Sequence, residues 1–257
     1  MEGLHISLRP EQLGTLFGFP ITNTLLTTWL VVIVLLVFAF VMRGKIALIP
    51  GKVQTFLELA FLWVLDFMAE TLESEQLARK FFPLIMTLFV FILFANYSEL
   101  IPGIGSLTFG TGAEKMELFH PVSTDLNFTL ALTLVSVIIT EIVGVTVMGV
   151  LKYGSKFVNL SSVLGFLIGI IELISEIARL ISFSFRLFGN MFAGDVLILV
   201  ATFFIPYFLP VPIFLFEFFI GLIQAAIFAL LTLLFIKLAM TDPHEHESEP
   251  KNAKANA

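Results

Sequence analysis

Glu172-Leu173-Ile174-Ser175-Glu176-Ile177-Ala178-Arg179-Leu180-Ile181-Ser182-Phe183-Ser184-Phe185-Arg186-Leu187-Phe188-Gly189-Asn190-Met191-Phe192-Ala193-Gly194-Asp195 lies inside a long apolar run, residues 163–205, yet carries five ionisable side chains. Charge at membrane depth is costly and marks a functional site by default. On a helix of about 100° per residue, Glu172, Glu176, Arg179, Phe183, Arg186 and Asn190 share a stripe roughly 80° wide. Asp195 follows Arg186 by nine residues, about half a revolution away and about 13 Å along the axis, so the two do not pair on one helix. Arg179 has Glu176 three residues earlier and is locally satisfied. Arg186 has only Ser182 and Asn190 one turn away. Its counter-charge comes from another helix or another chain, unless the residue is structural and snorkels to an interface.

The rest of the chain agrees with a membrane setting. Of 257 residues 58% are hydrophobic and 13% charged, against about 25% charged in soluble domains. Thirty are Phe. The composition predicts an all-α, polytopic membrane protein. The net charge of −6 gives no basis for nucleic-acid binding. With no cysteine, thiol catalysis, disulfides and Cys-ligated clusters are excluded. His5, His120, His244 and His246 all lie outside the apolar spans, which disfavours a redox subunit needing axial ligands at depth. No cofactor and no metal site is expected. Residues 1–23 lack a basic region followed by an apolar core, so no cleavable signal is expected.

Apolar runs and their punctuation predict one membrane domain over 1–257. It has five crossings, at 24–43, 81–101, 126–151, 163–205 and 211–240, since about 20 apolar residues suffice for each. An amphipathic interfacial helix is expected at 52–78, where Glu58, Asp66, Glu70 and Glu73 share an arc of roughly 120°. Pro83 is expected in the first turn of its span. Residues 102–125 form an external loop and 241–257 a polar tail. Glu141, inside 126–151, is either a local ion-pair or hydrogen-bond partner or faces a water-filled cavity. Residues 163–205 exceed one perpendicular crossing. They form two spans turning near Gly189, or one strongly tilted helix. Arg43, Lys45, Lys52, Arg79, Lys80, Lys152, Lys156 and Lys237 fall on one side and Arg9 and Lys115 on the other, so the N-terminus is expected outside and the C-terminus in the cytoplasm.

Polar residues are few in 211–240. Gly221, Ala225 and Ala229 form a row of small residues that admits close helix approach. Folding the last two helices about position 209 brings Asp195 level with roughly Gln224. Glu217 is then outermost, Asp195 deeper and Arg186 deeper still. Carboxyls can take and release a proton, whereas arginine stays charged. Glu217 and Asp195 therefore read as a relay, or alternatively as hydrogen-bonded packing residues.

Arg186-Leu187-Phe188-Gly189-Asn190-Met191-Phe192-Ala193-Gly194 resembles the signature of subunit a of the rotary F-type ATP synthases. Residues 54–58, 96–102, 121–127 and 222–225 follow in that family's order. The resemblance implies a single tilted helix over 163–205, and with 211–240 a long tilted helical hairpin. It implies a non-catalytic stator that offers two offset proton half-channels to a ring of small subunits, each bearing an essential carboxylate. Arg186 would face that ring beside Asn190. Asp195, Glu217 and Gln224 would line the outer half-channel, and Glu172, Ser175 and Glu176 the inner one. Leu180 stands where the family has proline, a departure that bears on helix curvature. Implied partners are the ring, a peripheral-stalk membrane subunit, the soluble ATPase sector indirectly, and the bilayer of a bacterial-type inner membrane. Carboxyls at the entrance favour protons, while sodium selectivity would be written in the ring. A secondary transporter with its own substrate site is the alternative; against it, the sequence has no internal repeat and no matched pair of broken helices.

Overall fold

A computed structural model of the chain describes residues 10–16, 18–101, 107–109, 116–157, 163–206 and 208–241. The expected tail, with His244 and His246, and much of the expected external loop lie outside these residues. Seven helices occur among the described residues, with two short antiparallel ribbons that the sequence did not announce. The contacts gather into two compact units, residues up to 129 with 185–229, and residues 130–184 with those from 230 onward.

The first unit begins with strands β1 (Gln12–Leu16) and β2 (Phe19–Thr22), joined through Gly18 at φ +85°. Thr22 then caps helix α1 (Asn23–Arg43), its hydroxyl accepting from the Leu25 amide. The first turns of α1 are tied down by hydrogen bonds. Asn23 accepts from the Glu11 amide, and Thr24 donates to Asp125 Oδ2 across 2.9 Å. Beyond them Ile33, Leu36, Val37 and Phe40 stand exposed, as suits a lipid-facing helix.

Helix α2 (Lys52–Leu72) stops six residues short of the expected 78. Glu73 adopts the left-handed region at φ 54°, and Ser74 caps α3 (Glu75–Glu99) by accepting from the Leu77 amide. A serine cap followed by an acid in the first turn, here paired with Arg79 at 2.7 Å, is a strong start signal. The helix therefore starts at Glu75, and Pro83 is interior to it rather than in its first turn. The proline leaves the Arg79 carbonyl without its usual partner. Met68 and Leu72 of α2 and Ala78, Phe81, Ile85 and Ile92 of α3 are buried, and Phe61 meets Phe82 edge to face. The acids of α2 are exposed, but so are Phe56, Leu59 and Trp63.

Strands β3 (Thr108–Phe109) and β4 (Met116–Glu117) pair within the loop. Asp125 closes it, its Oδ1 accepting from the Asn127 amide at the start of α4 (Leu126–Met148).

The second unit contains most of α4, then α5 (Val150–Phe157). The expected span 126–151 is broken after Met148, because Gly149 sits at φ +85° and turns the chain. A residue with a Cβ rarely takes that conformation. Ser136 of α4 and Thr232 meet at 2.8 Å, both buried.

Helices α6 (Val163–Phe204) and α7 (Pro210–Met240) contribute to both units. Helix α6 is unbroken over 42 residues, through Gly189 and Gly194. Among the described residues, α1, α3, α4 and α7 are long and apolar enough to cross a membrane.

Candidate functional site

In the first unit Arg186 is exposed on α6, and no carboxylate among the described residues pairs with it. One turn on, Asn190 donates from Nδ2 to Gln224 Oε1 across 2.8 Å. Gln224 is buried in α7. The sequence reading set Asp195 level with Gln224; the hydrogen bond falls five residues earlier on α6, about 7.5 Å along a helix.

The corrected register changes the order of the acids. A Cβ on Gly194 would fall on the Glu217 carboxyl. Glu217 therefore fills the place that the glycine leaves open, beside Asp195, and is not a separate outermost group. It is 3% exposed, and both its oxygens are enclosed without a hydrogen-bond partner. Glu99, at the end of α3, is enclosed in the same way. Asp195 and Glu217 both lie close enough to act on its charge, and Asp195 acts likewise on Glu217. Carboxyls from three helices, Glu99, Asp195 and Glu217, thus gather in one region. No group of three or more His, Cys, Asp or Glu among the described residues is disposed to hold a metal ion.

Neighbours hold this region in place. Asn96 donates to the Gly221 carbonyl at 3.0 Å and accepts from the Ser123 hydroxyl at 2.6 Å. Gly221 lets Asn96 and Tyr97 close against α7, and Tyr97 stacks on Phe218 with centroids 4.7 Å apart. His120 and Glu117 act on Asp195 from the loop. Sequence reasoning did not single out Glu99. Its position three residues after Asn96 and just before Pro102 was the available signal.

In the second unit the two acids expected on the inner side are not free. Lys156 Nζ lies 2.6 Å from Glu172 Oε1 and 3.9 Å from Glu176 Oε1. Arg179 Nη1 reaches both oxygens of Glu176, at 3.0 and 2.9 Å, as the three-residue spacing implied. Its guanidinium lies over Phe235, 4.0 Å from the ring centre. Ser175 is exposed, its hydroxyl bonded to the Ile171 carbonyl. The sequence offers Lys156 only as a marker of orientation.

Comparison with known proteins identifies the family. Residues 25–237 match the model of the family described as ATP synthase A chain. The chain is 36% identical over 244 residues to a protein named ATP synthase subunit a from Syntrophobacter fumaroxidans, covering 94% of each. It is 34% identical over 247 residues to one so named from Mycobacterium marinum, covering 94% of this chain and 96% of that one. A third, from Moorella thermoacetica, is 32% identical over 229 residues, covering 89% and 95%. A secondary transporter finds no support in these matches. An all-α chain of this length, apolar enough to cross a membrane several times and similar to these proteins almost end to end, belongs to the ATP synthase A chain family.

Proposed function

We propose that the chain is the ion-translocating stator subunit of a rotary ATP synthase, making and breaking no bond of its own. It offers two offset proton half-channels to a ring of small membrane subunits, and so couples proton flow to ring rotation and ATP synthesis. The observation that carries the reading is Arg186, an arginine inside an apolar helix with no carboxylate partner among the described residues. A ring carboxylate would supply the missing charge. Asn190, one turn on from the arginine, is bonded to Gln224.

Asp195 and Glu217 act in the outer half-channel, together with Glu99. Glu172 and Glu176 line the inner one. The whole chain acts as one membrane domain with five crossings. The fifth is α6, whose residues 187–204 carry a single charge, Asp195. Helix α2 lies in the interface, and the N-terminus is outside with the C-terminus in the cytoplasm of a bacterial-type cell. A peripheral-stalk membrane subunit and, indirectly, the soluble ATPase complete the set of partners.

Purification in mild detergent tests this. Co-isolation with a small ring-forming membrane protein and a soluble ATPase is expected. A solitary, stable protein that carries solute in liposomes would refute it.

A further inference from the structure

Glu141 of α4 has no place in the scheme above, and its surroundings set it apart. One of its oxygens is enclosed with no hydrogen-bond partner, although the residue as a whole is only partly buried. The Tyr153 hydroxyl of α5 faces this carboxyl and is likewise enclosed without a partner. The tyrosine is held where it is by two glycines. Gly149 turns α5 back from α4, and the Tyr153 ring occupies the space beside Gly144 that any Cβ would take.

The charged groups around Glu141 come from two elements. Helix α5 brings Lys156, whose ammonium also lies 5.7 Å from the centre of the Tyr153 ring. Helix α6 brings Glu172, Glu176 and Arg179, and from α7 Phe235 covers the arginine. Lys156 is matched to Glu172 and Arg179 to Glu176. Protonating either acid would strand a half-buried cation, which costs energy. Among the described residues no cation is paired with Glu141 in this way.

We propose that Glu141 is the proton-carrying carboxyl of the inner half-channel, with the Tyr153 hydroxyl as its bridge and the two ion pairs as a fixed charged frame. The inference rests on the stator reading and names which side chain of that half-channel changes protonation. The proton arriving from the ring is taken by the carboxylate and released to water on the inner side, so the group returns to its starting state.

The test uses the whole complex reconstituted in liposomes, with rates taken per assembled complex and the pH of the two sides varied separately. Glu141→Gln is expected to lose most proton-driven synthesis, and the remainder no longer to follow the pH of the inner side. Glu141→Asp should restore much of the rate and a response to inner-side pH, displaced from that of the unaltered chain, and Tyr153→Phe should slow synthesis without abolishing it. A wild-type rate in Glu141→Gln overturns the proposal. So does a reduced rate with an unchanged pH profile, since that is what a packing role gives. If Glu141→Gln does not assemble, Glu141→Asp decides: a displaced inner-side profile supports the proposal and an undisplaced one overturns it. Arg186→Ala is measured alongside. Coupled synthesis in that variant would remove the stator reading itself, whereas its loss beside a normal Glu141→Gln removes only this inference.

Discussion

Asn190 on α6 and Gln224 on α7 share a 2.8 Å hydrogen bond one helical turn from Arg186. It fixes the register of the two helices where the unpaired arginine stands. An amide pair of this kind contributes about 1 kcal/mol net. Losing one partner leaves the buried amide of Gln224 unsatisfied and costs about 1–3 kcal/mol. Asn190→Leu and Gln224→Leu should therefore each weaken detergent stability more than the double variant implies by addition. A double-mutant cycle on thermal unfolding of the purified complex measures the coupling; a coupling of zero would mean the bond is unmade in the membrane.

Gly194 and Gly189 offer a controlled contrast. A methyl at Gly194 meets the Glu217 carboxyl, while one at Gly189 meets nothing within 4 Å. Gly194→Ala should displace Glu217 and slow proton-driven synthesis severely. Gly189→Ala should assemble normally, gaining up to about 1 kcal/mol of helix propensity. Equal behaviour of the two would contradict the observed packing.

Glu99→Gln keeps the shape of the side chain and removes its ability to exchange a proton. Synthesis should slow in this variant, and Glu99→Ala should be no better. Glu217→Ala and Asp195→Ala should each slow synthesis without dispersing the complex. Measured by ATP synthesis against an imposed proton gradient, full activity in the Glu217→Ala, Asp195→Ala double variant would take both acids off the path.

Arg186→Ala should abolish coupled synthesis while passive proton leak persists or rises in vesicles stripped of the soluble ATPase. At about 4 Å and an effective dielectric near 20, a single charge pair is worth of order 4 kcal/mol before desolvation. That suffices to favour loss of the proton as a ring site arrives. Arg186→Lys should couple poorly, because an ammonium is a compact, differently hydrated charge. A sealed membrane with lost synthesis would remove the barrier role alone.

The orientation is open to labelling because the chain has no cysteine of its own. A cysteine at Thr108, in β3, should react from outside, and one at Ser155, in α5, from inside. Reaction of Thr108 from inside only would reverse the proposed topology.

Much of the helical framework was legible because apolar runs long enough to span a bilayer have few alternatives. The isolation of Arg186 was legible for a related reason: helical spacing alone shows that no carboxylate lies one turn away. Local sequence does not carry the register between two helices. Gly194 admits Glu217 only because the helices approach closely there; the small-residue row from Gly221 announces a close approach but not which residue of α6 it meets. Pro83 misled because proline suits a first turn, while the stronger start signal, Ser74 with Glu75 and Arg79, lay eight residues upstream. Lys156 was hidden because a lysine after an apolar run is the ordinary mark of a span's end. Its partners come from residues sixteen and twenty positions later.

The turn at Gly149 places a charge by means of one torsion angle. Were α4 to run straight on, the eight residues of α5 would carry Lys156 about 12 Å along the α4 axis. Glu172 would then face no ammonium and the Tyr153 ring no glycine. A side chain at position 149 strains the left-handed geometry by about 1–2 kcal/mol. That is at least as much as a single exposed ion pair returns, about 0–1 kcal/mol. One substitution there, four residues before Tyr153, is enough to tip the local balance toward a straight helix and to leave Glu172 without its lysine, while Glu176 keeps Arg179.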